Sequence, residues 1–139
     1  MVMQYHLILT LMNRRSYQNM KYKDILSITI NGKQNTIRVT KNVIKILGLP
    51  DYVCLRVNND YSSFAILSCS SKELLSFKVP NDFITNPRGD FRIYSKRFIR
   101  SVFSGKGLRN DSSYLFYGNY LEKNNAVIFN VSEAKYLEQ

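Results

Sequence analysis

The sequence predicts a mainly β fold with a minor helical part, built from two related β-hairpin–short helix–β units. Three observations predict it. Short runs in which apolar and polar residues alternate are separated by Gly, Pro and Asn turns, the pattern of half-buried strands. A capped, basic and apolar stretch occurs twice, beginning at Lys41 and again at Lys96, 55 residues later (96 − 41). The chain has 139 residues, 45% hydrophobic and 22% charged, which is enough to bury a core without a structural metal.

The elements follow in order. Leu26, Ile28 and Ile30 alternate with polar residues as a strand, and Asn31-Gly32 reads as a two-residue hairpin turn. Ile37 and Val39 return, and Thr40 is a good N-cap. The spacing predicts a helix over 41–47, with Val43, Ile44 and Leu47 on its inner face and Gly48 in the left-handed position after it. Pro50-Asp51 connects to a β-rich run over 52–57, then a turn at 58–60 and a strand over 64–67.

The second unit repeats this order. Gly89 stands as its hairpin turn and Ser95 as its cap. A helix over 96–103 places Phe98, Ile99 and Val102 inward, and Gly107-Leu108 follows as Gly48-Leu49 follows the first helix. A strand over 114–117, a longer turn over 118–125 and a strand over 126–131 complete the unit. Self-similarity at such a spacing points to duplication of one supersecondary unit. The chain therefore divides into a basic appendage at 1–24, a first unit at 25–67, a linker and entry strand at 68–88, a second unit at 89–131 and a tail at 132–139 read as a polar helix end. Met20 as a start of translation and a short element over 1–19 both fit the appendage.

Composition narrows the chemistry. Twenty Lys and Arg oppose ten Asp and Glu, a formal net charge of +10 that attracts polyanions. The single histidine, His6, leaves little material for a catalytic triad or a histidine metal site. Cys54 and Cys69 form neither a zinc pattern nor a CxxC motif, and are expected as two buried thiols in a reducing cytoplasm. No phosphate-loop, HExxH or nucleophile-elbow motif occurs, so the chain is expected to be no enzyme and to carry no cofactor. The longest apolar-leaning run, 5–12, is too short to span a bilayer, and the expected location is cytoplasmic.

The string GKQNTIRVTKNVIKILGLPDYVCLRVNND resembles the AbrB/MazE-like swapped-hairpin family. Gly32, Val39-Thr40, Val43, Lys45, Leu47-Gly48-Leu49, Asp51 and the run over 53–57 carry the resemblance, which covers the first unit well and the second loosely. Thr40 and Ser95 stand where that family has proline, and the family arginine after the glycine turn is absent. The resemblance implies a swapped-hairpin-like barrel, formed here as a monomeric pseudo-dimer or a homodimer. It also implies a basic face that binds DNA.

Charge agrees with a polyanion partner: residues 25–67 contribute +3 and residues 89–131 contribute +4. Lys96 and Arg100 share a helix face opposite Phe98 and Val102, and Lys41 and Lys45 do the same in the first unit. Arg97, Lys106 and Arg109 extend the second cluster, and Lys33 sits at the first turn. Arg38 and Arg92 lie on strands, where they either reach a groove or cover barrel edges with their stems. The expected function is that of a duplex-DNA-binding transcriptional regulator. The alternative is a protein-interaction module, antitoxin-like or inhibitory, using the same barrel.

Overall fold

The computed structural model describes residues 25–138. The basic appendage, Met20 and His6 lie outside the described residues.

The alternating runs become strands. β1 (Ser27–Asn31) and β2 (Thr36–Val39) form a hairpin, followed by α1 (Lys41–Ile46), β3 (Tyr52–Val57) and β4 (Ser63–Ser68). β5 (Ser76–Lys78), β6 (Arg92–Tyr94), α2 (Lys96–Gly105), β7 (Ser113–Leu121), β8 (Ala126–Asn130) and β9 (Lys135–Leu137) follow. The strands run β5-β3-β4-β8-β7-β1-β2-β6, with β9 beside β7. Every pairing is antiparallel, and the sheet curls into a nearly closed barrel.

The pairings carry an internal two-fold pattern. Exchange β1 with β5, β2 with β6, β3 with β7 and β4 with β8. The β1–β7 pairing then becomes β5–β3, and β3–β4 becomes β7–β8. The β2–β6 and β4–β8 pairings map onto themselves. Each unit thus hands its first strand to the other unit. The β1–β2 hairpin has no counterpart, because β5 and β6 are the two ends of the sheet path. Their connection, 79–91, is much longer than the 32–35 loop and contains Pro80 and Pro87, which have no N–H to extend a ladder.

The helix exits obey the same exchange. Gly48 has φ 89° and the Leu49 N–H donates to the Ile44 carbonyl at 3.0 Å. Gly107 has φ 70° and the Leu108 N–H donates to the Phe103 carbonyl at 2.9 Å. Both are left-handed exits in which the N–H after the glycine closes the last turn. The β3–β4 turn rests on the end of α2 through Tyr61 against Gly105. The β7–β8 turn rests on the end of α1, where Asn125 Nδ2 donates to the Leu47 carbonyl at 3.2 Å.

Inside the barrel, Val43, Ile44, Leu47, Phe98, Ile99 and Val102 are all buried, as their helical spacing requires. Phe64 and Phe129 lie directly opposite each other on β4 and β8 and stack with centroids 5.1 Å apart. Phe98 and Phe116 meet Phe64 edge-on at 5.7 and 5.3 Å.

Several expectations are corrected. The first turn is not the two residues Asn31-Gly32. Asn31 pairs with Thr36, so the loop is 32–35, and its left-handed residue is Asn35 (φ 55°). The Asn31 side chain accepts the Gln34 N–H at 3.0 Å and bends the loop by that route. Gly32 is needed for closeness instead, since a Cβ there would lie 2.4 Å from the Asn110 carbonyl oxygen. Gly32→Ala is therefore expected to lower stability by about 1–3 kcal/mol in urea unfolding; an unchanged midpoint would show that the 109–111 segment shifts freely.

Gly89 is no hairpin turn, because β5 and β6 do not pair. The turn expected over 118–125 is shorter: β7 runs on to Leu121 because its second half pairs with β8. The tail is not a helix end. A 3-10 turn (Val131–Glu133) buries Val131, and β9 then pairs with the first half of β7. Cys54 and Cys69 are not two thiols but a disulfide. Pairing of β3 with β4 brings Val53 opposite Ser68, which sets the two cysteine Cα atoms 5.9 Å apart, within bridging range. Among the described residues, no helix is long and apolar enough to cross a membrane.

Candidate nucleic-acid interface

α2 presents the densest group of cations. Phe98, Ile99, Val102 and Phe103 bury one face, so Lys96, Arg97 and Arg100 are turned outward and exposed. The Ser95 N–H donates to the Asn35 carbonyl at 3.1 Å, fixing the start of the helix against the β1–β2 loop that carries exposed Lys33. The first turn of α2 holds no acidic residue. Cations there oppose the helix dipole, so Lys96 and Arg97 do not stabilise the helix they sit on. Among the described residues, none of Lys33, Lys45, Lys96, Arg97 and Arg100 forms a salt bridge.

β6 leads directly into α2 and carries a second group. Arg38 and Arg92 are directly opposed across β2–β6. Both use Nε to reach one carboxylate: Arg38 to Asp90 Oδ1 at 3.2 Å and Arg92 to Asp90 Oδ2 at 2.6 Å. Asp90 neutralises one charge of the two and holds the pair side by side. The terminal guanidinium nitrogens remain available for a further anion. All three groups are well exposed, so this is an ordering contact of little energy.

The remaining predicted cations are scattered. Lys41 does not stand free beside Lys45 on α1. Its Nζ donates to the Asn86 carbonyl and lies 5.9 Å from the Phe83 ring centroid, beneath the 79–91 connection. Lys45 alone is exposed on that helix. Lys106 lies at the far end of α2 near Asp60. The carboxyl of Asp60 is held below its ordinary range mainly by hydrogen bonds from the Ser62 side chain and backbone, with Lys106 adding attraction. Arg109 pairs with Asp111 at 3.3 Å, and Asp111 is lowered first by the Ser112 hydroxyl and then by Arg109.

Sequence reasoning missed Tyr94, Tyr117 and Lys135. Tyr94 is 67% and Tyr117 40% exposed, although both lie on strands. Lys135 Nζ sits 4.9 Å from the Tyr117 ring centroid. The alternation of Arg92 with Tyr94 was a readable signal for the first. Lys135 was hidden by reading the tail as a helix end.

An open cleft of about 500 Å³ lies between the strands and the 79–91 connection, with Thr29, Arg38, Lys41, Phe83, Pro87 and Asp90 on its walls. The sulfurs of Cys54 and Cys69 and a carboxylate oxygen of Glu73 lie within 4.8 Å of one another. The two sulfurs are bonded to each other, so this group offers no thiolate pair to a metal. No family model, curated protein or solved structure matches this chain.

Proposed function

We propose that the chain binds nucleic acid, with duplex DNA as the ligand of the α2 face and transcriptional regulation as its role. The observation that carries this reading is the exposed set Lys96, Arg97 and Arg100, unpaired among the described residues, with Lys96 and Arg97 placed against the helix dipole. Cations kept where they do not support their own helix are suited to an external anion. The net charge of +10 supplies the attraction that brings a polyanion to that face. One chain supplies both units of the barrel, so the monomer is taken as the binding unit.

The test is duplex DNA binding across a salt series. Arg97→Ala/Arg100→Ala is expected to weaken binding at every sequence and to reduce the salt slope by about 1–2, since each lost phosphate contact removes about 0.9 from it. Its unfolding midpoint should stay near that of the parent, because both side chains are exposed. Absence of measurable affinity at low salt for the intact chain would overturn the reading.

One observation favours a protein-interaction module instead. Leu74 is 85% exposed and adjoins Leu75 at 38%, a pair of apolar side chains next to edge strand β5. An antitoxin-like or inhibitory role would be carried there, and replacing Leu74 with Ser would abolish it without changing DNA affinity.

A further inference from the structure

The outer face of β6-β2-β1-β7-β9 holds features that the α2 face does not use. Directly opposed residues share a face of a sheet. The registers align Arg92, Arg38, Thr29, Leu115 and Lys135 in one row across these five strands. Arg92, Arg38 and Lys135 are exposed, so the row faces outward. At about 4.8 Å between neighbouring strands it spans roughly 19 Å.

Two tyrosines stand on the same face, each two residues from the row along its own strand. Tyr94 follows Arg92 on β6, and Tyr117 follows Leu115 on β7. Side chains two apart on a strand point the same way. The two rings therefore lie at opposite corners of the face, with Arg38 and Arg92 between them. The 79–91 connection walls one side, adding Lys41 and the open cleft. The acids on or beside these strands include Asp90, already shared by two arginines, and Glu133 and Glu138, which flank β9.

We propose that this sheet face binds unpaired nucleic acid, with Tyr94 and Tyr117 stacking on bases and Arg38, Arg92 and Lys135 meeting backbone phosphates. This rests on the nucleic-acid reading above and adds a second surface with a different ligand form. The physical reason is specific to single strands. A duplex hides its base faces within the stack, whereas an unpaired strand offers every base face to an exposed ring. Guanidinium groups spaced across a sheet then track a backbone that runs over it. An acidic protein partner would meet the same cations, but would leave the two exposed rings without matching π-faces.

The experiment uses the full chain and fluorescence anisotropy with three labelled probes: oligo(dT), oligo(U) and a blunt mixed-sequence DNA duplex. Tyr94→Ala/Tyr117→Ala is expected to weaken both single strands by roughly tenfold or more per ring, leaving duplex affinity unchanged. Tyr94→Phe/Tyr117→Phe keeps the rings and should keep the affinity. Arg97→Ala/Arg100→Ala should show the opposite pattern, with duplex binding the more affected. A preference between the two single strands would assign DNA or RNA to the face. Single-strand affinity that survives the double alanine variant overturns this proposal while the α2 reading stands. Binding of no probe at low salt overturns both. Tyr94 is largely and Tyr117 substantially exposed, and an unfolding midpoint close to the parent's would show that the alanine variant is folded.

Discussion

Truncating Phe64 to alanine is expected to lower the free energy of unfolding by about 3–5 kcal/mol. Phe64 is 1% exposed and touches three other aromatic rings, from β8, β7 and α2. Its partner Phe129 lies directly across the β4–β8 pairing, one of the seams at which the two units join. Removing the ring leaves a cavity walled by Phe98, Phe116 and Phe129. These are held by separate elements and cannot all collapse into it. The transfer and cavity contributions therefore add. Phe64→Leu fills much of the space and should lose clearly less. Urea unfolding of the two variants reads the difference. A loss within about 0.5 kcal/mol for Phe64→Ala would mean that the seam repacks freely.

Opening the Cys54–Cys69 disulfide is expected to cost about 3 kcal/mol, the chain-entropy value for a closed loop of this length. The bridge spans a sequence separation of 15 and ties β3 to the segment that leads toward β5. That segment has other ties: Arg56 pairs with Glu73 at 2.7 Å, and the Leu55 N–H donates to the Leu75 carbonyl at 3.3 Å. Reduction should thus lower the unfolding midpoint without unfolding the barrel. Cys69→Ala is the appropriate variant, because Cys54 is fully buried and its truncation would add a cavity. The parent chain should respond to reductant and Cys69→Ala should not. A parent midpoint that ignores reductant would show that the bridge does not form in solution. The same measurement bears on location, since a reducing cytoplasm holds such a pair as thiols.

Local pattern was enough to determine much of this protein. Period-two alternation marked β1 and β2, and β-rich runs between turn residues marked β3 and β4. The apolar spacing of Val43, Ile44 and Leu47, and of Phe98, Ile99 and Val102, identified the buried faces of both helices. Gly48 and Gly107 marked the helix exits, because a left-handed residue there is demanded by the last turn itself. The outward position of Lys96 and Arg100 followed from the same helical period.

Only the tertiary structure decided the rest. Alternation says which side chains point inward, but strand pairing joins residues far apart in sequence, and many partners satisfy the same pattern. The exchange of first strands between units, β1 to β7 and β5 to β3, is such a choice. The β2–β6 pairing sets Arg38 beside Arg92, and the β1–β7 and β7–β9 pairings carry Lys135 onto the same row. The disulfide depends on the end of β4 lying beside β3, which composition does not encode. Lys41 was placed with Lys45 by helical spacing alone. A loop distant in sequence claims it: the Asn86 carbonyl, which also accepts the Gly89 N–H at 2.8 Å, accepts from its Nζ, and the Phe83 ring offers it a face.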